Sequence, residues 1–504
     1  MKPSPQAAPT RIHTGLAGLD DILGGGLPAN RIYLLEGDPG TGKTTMALQF
    51  LLEGVRQGET VLYITLSETK EELNEVAQSH GWSLDGFNVF DLAVPEGETV
   101  AEQQYTIFHP SEVELGEVTK TIFDQVERIQ PRRVVFDSLS EMRLLARDPL
   151  RFRRQILALK QFFIGRECTA LLLDDHTSET SDRQLESLAH GVVTLEHDSP
   201  DYGAPQRRLR LLKLRGVKYI GGYHSFSIET GGIKIFPRLV AREHHQAFAS
   251  RPLASGVAGL DKLTGGGIDP GTSTLIMGPA GAGKSTLAMA YAVAAIGQGM
   301  RAAYYTFDES LRTLRARATA LGLELKDHIE ADRIVMRQVD PAELSAGEFT
   351  YMVQQAVERE GRLLVVIDSL NGYYQSMQEA KFLNAYLHEL LAYLAQRGVT
   401  TLITLAQYGL LGTGIAALVD VTYLADTVLL LRYFEASGEI RQAISMVKKR
   451  SGGHERAIRE LSIGSGGISV GQSLKQFQGI LSGQPEYVGR AESLHQEGDD
   501  SDQR

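Results

Sequence analysis

The chain has 504 residues, of which 42% are hydrophobic, as is typical of globular protein with enough apolar residues for more than one domain. Its 51 Lys and Arg residues face 62 Asp and Glu residues, and the formal charge of −11 excludes a generally basic surface for nonspecific nucleic-acid binding. The single cysteine, Cys168, excludes an intrachain disulfide and a multi-cysteine zinc site. Because MKPSPQAAPTR lacks a signal-peptide core and no run approaches about 20 apolar residues, we expect a cytoplasmic protein without a membrane anchor.

An internal repeat spans most of the chain. Residues 14–26 (TGLAGLDDILGGG) are similar to residues 255–267 (SGVAGLDKLTGGG), which lie 241 positions later, and Lys43 and Lys284 are separated by the same distance. A repeat of this length indicates two homologous units. We therefore predict an N-terminal tail at 1–12, a first domain at 13–240, a linker at 241–253, a second domain at 254–482 and an acidic flexible tail at 483–504.

Short apolar, β-rich runs alternate with stretches of helical periodicity in both repeats. This alternation predicts an α/β fold with a mostly parallel sheet covered by helices on both faces. The predicted strands are, in chain order, 31–36, 60–66, 132–137, 169–175, 191–196 and 208–214 in the first repeat, and 273–277, 302–307, 362–368, 399–405, 427–432 and 442–448 in the second.

A phosphate-loop motif follows the first strand of each repeat: GDPGTGKT at 37–44 and GPAGAGKS at 278–285. Its glycines are expected to turn the backbone so that amides face phosphate oxygens, while the lysines contact the β- and γ-phosphates. The alternative is a pair of glycine-rich turns without nucleotide, which the recurrence at matched positions disfavours. The predicted ATP-binding residues are Gly37, Asp38, Pro39, Gly40, Thr41, Gly42, Lys43, Thr44, Thr45, Gly278, Pro279, Ala280, Gly281, Ala282, Gly283, Lys284, Ser285 and Thr286.

Magnesium ligands are predicted from the hydroxyls of Thr44 and Ser285 together with two strand-ending acids. Asp137 (RRVVFDSLS) and Asp368 (RLLVVIDSLN) each end an apolar run and precede Ser-Leu. A strand-ending Asp alone is weak evidence for a metal ligand, since many such residues begin turns. In register with two phosphate loops, the pair predicts ATP and Mg²⁺ binding in both repeats.

Further acids follow the next strand of each repeat. Glu68 and Glu309 occupy matched positions, with Asp308 beside the latter, at strand ends where open α/β sheets bind ligands. We predict that they orient or deprotonate the nucleophile, and that Lys43 and Lys284 act with them as catalytic residues. A helix-capping acidic cluster is the alternative.

Basic segments occur late in each repeat, at KLRG (213–216) and KKRSG (448–452). They are candidates for contact with the γ-phosphate bound by a neighbouring subunit, and a solvated surface strand is the alternative. The residues predicted for this role are Lys213, Leu214, Arg215, Lys448, Lys449 and Arg450.

The paired phosphate loops, the DSL strands, the basic segments and FQGILSGQPEY (477–487) together resemble the KaiC family over residues 11–483. The resemblance implies two tandem RecA-like P-loop NTPase domains in a homohexamer, with ATP and Mg²⁺ between subunits. It further implies ATP hydrolysis in the N-terminal ring, serine/threonine autokinase and autophosphatase activity in the C-terminal ring, and a role in circadian-type timing or stress signalling.

The resemblance also places the phosphoacceptor pair of the family at Thr422 and Tyr423, within DVTYLADT. Tyr423 departs from the Ser or Thr of the family, and Glu186 and Ser187 occupy the matched positions of the first repeat. A second departure is Ser67, which precedes Glu68 where the family has a pair of acids.

The partners implied by the resemblance include a KaiB-like protein. Residues 488–504 carry no match to the tail that binds KaiA, which argues against that partner. Two other functions remain open: a hexameric ATP-driven switch or scaffold without autokinase activity, and a DNA-directed RecA-type ATPase. The net charge, and loops at 176–187 and 408–420 that are not strongly basic, disfavour nucleic acid.

Overall fold

The structure is a computed structural model, which describes residues 10–92, 110–146, 148–175, 183–200, 203–241, 247–248, 251–375, 380–407, 421–464, 466–482 and 484–489. The chain divides into two compact units, Met1–Arg238 and Leu239–Arg504. Leu239 and Ala241 belong to the apolar core of the second unit, and Leu253 forms a β-bridge with Ile268. The described ends of the predicted linker thus pack within the second unit, and the domain limits themselves stay predictions.

The first unit contains helices and strands in regular alternation through its parallel part. In chain order these are β1 (Arg11–Ile12), α1 (Ala17–Leu23), β2 (Leu27–Pro28), β3 (Ile32–Gly37), α2 (Lys43–Arg56), β4 (Val61–Thr65), α3 (Lys70–Ser79), β5 (Phe87–Asp91), α4 (Pro110–Ile129), β6 (Arg133–Asp137), α5 (Leu139–Ala146), α6 (Pro149–Phe163), β7 (Thr169–Asp174), α7 (Arg183–Leu188), β8 (Gly191–Asp198), β9 (Gln206–Leu214), β10 (Tyr223–Glu229) and β11 (Gly232–Phe236).

The second unit repeats this succession. Its elements are α8 (Ala258–Leu263), β12 (Ser273–Gly278), α9 (Lys284–Gly297), β13 (Ala302–Thr306), α10 (Leu311–Ala320), α11 (Lys326–Glu330), β14 (Ile334–Gln338), α12 (Ala346–Glu358), β15 (Leu364–Asp368), α13 (Leu370–Gln375), α14 (Ala380–Gln396), β16 (Thr400–Ala406), β17 (Thr427–Ala436), β18 (Glu439–Lys449), β19 (Ile458–Gly464), β20 (Gly467–Ser473), β21 (Phe477–Gln478) and β22 (Glu486–Tyr487).

Among the described residues, each unit is built on a nine-stranded sheet, and the two sheets have the same strand order. The orders are β11-β10-β9-β8-β3-β7-β6-β4-β5 and β20-β19-β18-β17-β12-β16-β15-β13-β14. The strands from β8 to β5 and from β17 to β14 pair in parallel, and the last strands of each unit add an antiparallel edge. The predicted α/β fold with two tandem RecA-like domains is therefore correct.

All twelve predicted strands are present, with bounds that differ by zero to four residues. Two parallel strands, β5 and β14, lie at the sheet edge and were not predicted. They are half-exposed and lack the continuous apolar run by which strands buried on both faces are recognised.

Apolar residues pack on both faces of each sheet. In the first unit, Leu48 of α2 and Tyr63 of β4 belong to one cluster, and Phe136 of β6 and Leu159 of α6 belong to the other. Parallel strands covered by helices on both faces leave their carboxyl ends as the accessible edge for ligands. In the part of the chain that the structure describes, no helix is both long and apolar enough to cross a membrane.

Candidate functional site

The two phosphate loops join β3 to α2 and β12 to α9, with the helices beginning at the motif lysines. Gly42 and Gly283, at the N-caps, have φ of 101° and 94°, a conformation that residues with a Cβ rarely adopt. The first-turn amides of both helices thus face the loop, which creates a site for anions such as phosphate at each helix N-terminus.

Gly37 and Gly278 have a different role from the one their motif suggests. Neither has a positive φ, because each ends its strand in an extended conformation. A Cβ on Gly37 would lie 2.5 Å from the carbonyl oxygen of Leu195, and one on Gly278 would lie 2.8 Å from that of Leu431. The expectation that these two glycines turn the loop is therefore wrong: they permit close approach of the neighbouring strand.

The two motif lysines are held differently. The ammonium of Lys43 donates to the carbonyl oxygens of Gly37 (2.7 Å) and Asp38 (3.0 Å) and lies 2.7 Å from Oδ1 of Asp175. The ammonium of Lys284 donates to the carbonyl oxygen of Pro279 at 2.7 Å. Burial, partly offset by Asp368, lowers the pKa of Lys284 to about 8.

A hydroxyl and a carboxylate converge beside each lysine. Ser285 donates to Oδ1 of Asp368 at 3.0 Å, and the Tyr304 hydroxyl donates to Oδ2 of the same carboxylate at 2.5 Å. In the first unit Tyr63 makes the matched hydrogen bond to Asp137 at 2.5 Å, and Thr44 also bonds to this carboxylate. The paired tyrosines fix one carboxylate oxygen of each acid.

These oxygen donors suit Mg²⁺, which prefers hydroxyl, carboxylate, phosphate and water ligands. No cluster of three or more His, Cys, Asp or Glu side chains able to hold a metal occurs within the described ranges. A cation here would therefore be held by Thr44 and Asp137, or by Ser285 and Asp368, together with phosphate oxygens and water, and it would neutralise phosphate charge. This is the usual mode of Mg²⁺ in nucleotide sites.

Glu68 faces the phosphate loop of the first unit. Its Oε1 lies 3.5 Å from the hydroxyl oxygen of Thr44, and its Oε2 is buried without a hydrogen-bond partner. Burial, followed by the Asp137 carboxylate, raises the pKa of Glu68 to about 7. The capping alternative applies to its neighbours, because Thr69 and Glu72 form the capping box of α3. Glu68 therefore takes no part in the capping box, and its side chain remains beside the phosphate loop.

The acids of the second unit are placed differently. Asp308 accepts a hydrogen bond from Ser369, next to Asp368, whereas Glu309 pairs with Arg317 of α10 at 2.7 Å. The repeat-matched glutamates therefore have different partners, and in the second unit it is Asp308 that contacts the strand-ending Asp-Ser pair.

The basic segments contact the backbone just before β17 in the second unit and the end of α7, just before β8, in the first. Lys448 donates to the carbonyl oxygens of Thr422 (2.8 Å) and Ala425 (2.7 Å), and Arg450 donates to that of Tyr423 (2.7 Å). In the first unit, the matched contacts join Lys213 to the Glu186 carbonyl and Arg215 to that of Ser187, the latter at 2.7 Å.

The middle residues of these segments face elsewhere. Leu214 packs in the apolar core, and Lys449 donates to the carbonyl oxygen of Thr264 at 2.6 Å. Among the described residues, neither side chain donates a hydrogen bond to the backbone before β8 or β17, whereas those of Lys213, Arg215, Lys448 and Arg450 do.

Thr422, the predicted phosphoacceptor, and the phosphate loop of its own unit lie beyond opposite ends of the parallel strands. Thr427, which begins β17, pairs with Thr274 near the amino end of β12, and with Lys449 of β18. The phosphate loop begins after Gly278, at the other end of β12. Four strand residues separate these ends by roughly 13 Å, and Thr422 lies beyond Thr427. The structure therefore does not bring Thr422 together with the phosphate loop of its own unit.

The comparisons with known proteins agree with this architecture. A family model described as "ATPase: KaiC" matches residues 12–240 and 253–475, which correspond to both repeats. The chain belongs to the KaiC family.

The similar proteins align with this chain over nearly its full length. The chain is 27% identical over 491 residues to the circadian clock oscillator protein KaiC of Acaryochloris marina, covering 95% of this chain and 92% of the relative. It is 26% identical to the circadian clock protein KaiC3 of Synechocystis sp., with 96% of each chain covered. For KaiC of Synechococcus elongatus the identity is 27%, with 96% of this chain and 93% of the relative covered.

Three residues of this KaiC-family site were not predicted. Tyr63 and Tyr304 have the same 241-residue offset as the motif lysines, so the repeat itself could have identified them. Asp175 directly follows Asp174, which ends the apolar run of β7; the same pattern of a strand-ending acid identified Asp137, so it points to the neighbour of Asp175. The DNA-related prediction for loops 176–187 and 408–420 falls largely outside the described residues.

Proposed function

We propose that this KaiC-family ATPase binds Mg²⁺-ATP in both units, hydrolyses it in the first, and transfers phosphate to its own Thr422 from the second. The observation that carries the proposal is that each unit assembles a phosphate-loop lysine, a hydroxyl, a strand-ending Asp and a further acid at one sheet edge. These are the groups that phosphoryl transfer requires for binding and charge neutralisation.

Hydrolysis in the first unit is supported by Glu68. A carboxylate that faces the loop with a free buried oxygen can orient water or accept its proton, and a pKa near 7 suits a group that exchanges protons at neutral pH. Glu186, at the position matched to Thr422, supplies no hydroxyl for phosphorylation, and Ser187, at the position matched to Tyr423, is the one hydroxyl of the pair. We assign water as the nucleophile of this unit because Glu68 faces its phosphate loop.

Autokinase activity in the second unit requires more than one copy of the chain. Thr422 supplies a hydroxyl, and Asp308 is the acid that we assign to its activation. Thr422 and the loop of its own unit lie at opposite ends of the strands, so transfer from a second-unit loop calls for the loop of another copy. The homohexamer with ATP between subunits that we propose meets this need, with Lys448 and Arg450 beside Thr422 and close to the neighbour's phosphate.

The decisive experiment is to incubate the protein with ATP and magnesium and to map phosphopeptides by mass spectrometry. Phosphate on Thr422 that persists in Tyr423→Phe and disappears in Thr422→Ala would support the proposal. Absence of phosphate from residues 415–427 would refute the autokinase assignment. Light scattering in millimolar ATP tests the assembly, since a monomer under these conditions would contradict the interface site.

A second candidate is an ATP-driven switch or scaffold without autokinase activity. Tyr423 favours it: the residue is 54% exposed, and it stands where the family has Ser or Thr. An exposed ring at this position is suited to contact with a partner surface. ATP-dependent assembly without phosphate at 415–427 would support this second function.

A further inference from the structure

All three N–H donors of the Lys43 ammonium are directed at acceptors of its own unit. Two are the carbonyl oxygens of Gly37 and Asp38, and the third acceptor is the Asp175 carboxylate at 2.7 Å. Only 9% of the Lys43 side chain and 26% of the Asp175 side chain are exposed, so solvent screens the pair weakly. An ammonium has three donors, and phosphate can therefore reach Lys43 only by replacing one of these acceptors.

The second unit has no carboxylate at the matched position. The Asp175 amide donates to the side chain of Ser140 at 2.9 Å, and the Ala406 amide donates to that of Asn371 at 2.8 Å. Ser140 and Asn371 each lie three residues after the strand-ending Asp. Asp175 and Ala406 thus occupy the same place, at the end of the strand beside the phosphate-loop strand.

We propose that Asp175 is an internal competitor for the phosphate-loop lysine, which sets a lower affinity for ATP in the first unit than the same site would have without it. The inference rests on the proposed binding of ATP to this unit. The ATP phosphates and the Asp175 carboxylate are both anionic and both require Lys43.

Two electrostatic effects act in the same direction. First, ATP must displace the Asp175 carboxylate, which already neutralises the Lys43 ammonium. Second, the bound phosphate then lies near the Asp175 carboxylate, and the two negative charges repel each other. Further carboxylates, those of Asp137 and Glu68, lie close enough that Asp175 contributes to raising their pKa values, after the larger effect of burial. Release of Asp175 from Lys43 thus increases the negative charge that ATP meets.

Equilibrium dialysis with radiolabelled ATP and magnesium on the full chain tests this role. Lys284→Ala removes the phosphate-loop lysine of the second unit, and Asp175→Asn and Asp175→Glu are compared with this parent. We expect Asp175→Asn to lower the Kd for ATP by on the order of tenfold, equivalent to loss of one partly buried charge interaction. Asp175→Glu keeps the carboxylate and should stay within about threefold of the parent. A purely structural role for Asp175 predicts the opposite sign, since damage to the loop would weaken binding.

The reverse substitution provides an independent test that does not depend on the folding of Asp175 variants. Ala406→Asp, in a chain carrying Lys43→Ala, should raise the Kd of the second unit for ATP by on the order of tenfold. Unchanged or weaker binding in Asp175→Asn, or unchanged binding in Ala406→Asp, would overturn the competitor role and leave ATP binding in place. No ATP binding by the Lys284→Ala parent and its Asp175→Asn derivative would instead refute the proposed function of the first unit.

Discussion

The Lys448 ammonium lies 2.8 Å from the carbonyl oxygen of Thr422, at the amino edge of its sheet. The first unit repeats this contact between Lys213 and the Glu186 carbonyl, so the basic segments hold the matched backbone in both units. A backbone fixed in this way presents its side chains in a defined direction, which is a condition for in-line transfer. In the proposed autokinase reaction, the phosphate would reach Thr422 from outside its own unit, because the phosphate loop of that unit lies at the other end of the strands.

The proposed autokinase activity predicts phosphorylation in trans. Chains carrying Thr422→Ala keep an intact loop, and chains carrying Lys284→Ala keep an intact acceptor. Neither preparation alone should place phosphate at residue 422, but mixing them before ATP is added should label the Lys284→Ala chains, since the donor loop belongs to a neighbour. Isotope-labelled chains distinguish the two populations by mass spectrometry. Labelling of Lys284→Ala chains in isolation, or no labelling after mixing, would contradict transfer between copies.

The two phosphate loops should be separable by substitution of their lysines. Lys284→Ala removes a cation that contacts phosphate, and we expect phosphate incorporation at Thr422 to fall by on the order of 100-fold or more. ATP hydrolysis by the first unit should continue, because its own loop is intact. Lys262→Ala, an exposed lysine of α8, serves as the control. Undiminished incorporation in Lys284→Ala would show that the transferred phosphate is not bound there.

The parts of this architecture that depend on local pattern were predictable. The strands with continuous apolar runs and the loops with fixed motif spacing follow directly from neighbouring residues. Edge strands β5 and β14 have no such run, and the contact of Lys43 with Asp175 joins residues that are distant in sequence. The unlike surroundings of Glu68 and Glu309 also escaped prediction, since they arise from Arg317 in a neighbouring helix.

Hydrolysis by the first unit should depend on Glu68. Glu68→Gln keeps the shape of the side chain and removes its ability to accept a proton, so we expect the rate to fall by on the order of 100-fold or more. The rate is measured as phosphate release by chains carrying Lys284→Ala. Glu71→Gln, an exposed substitution on the following helix, is the control and should leave the rate unchanged. A Glu68→Gln rate equal to that of the control would assign the proton transfer to another group.

Two adjacent arginines provide a matched test of stability. Arg133 is fully buried and contacts Glu59 at 2.5 Å and the carbonyl oxygens of His13 and Phe50. Arg133→Ala leaves these acceptors without their cation and should cost about 3 to 5 kcal/mol. Arg132 pairs with Glu167 where both side chains are more than half exposed, so Arg132→Ala should cost less than about 1 kcal/mol.

Urea titration reports this difference through the fluorescence of Trp82, the single tryptophan of the chain, which lies in the first unit. Equal midpoints for Arg132→Ala and Arg133→Ala would show that burial of the second arginine contributes nothing to stability.

His224 should make the stability of the first unit depend on pH. It is fully buried: Nδ1 accepts a hydrogen bond from the Arg238 amide at 2.8 Å, and Nε2 donates to the Ile220 carbonyl at 3.0 Å. Burial, reinforced by Arg238, lowers the pKa of His224 from 6.5 to about 4. As pH falls below 6.5 the unfolded chain gains a proton that the folded unit does not accept until near pH 4, so stability should decrease over this range. Between pH 7.5 and 5 the loss should be about 2 kcal/mol.

The same urea titrations of Trp82 fluorescence, repeated at several pH values, measure this dependence. His224→Asn retains an acceptor for the Arg238 amide and has no titrating ring, so the midpoint should change less with pH even if it is lower at pH 7.5. His13→Asn is the control, because the His13 side chain is largely exposed and the wild-type dependence should be retained. If the urea midpoint of His224→Asn keeps the full pH dependence of the wild type, the acid sensitivity of the unit arises from other groups. His224 would then titrate alike in the folded and unfolded chains.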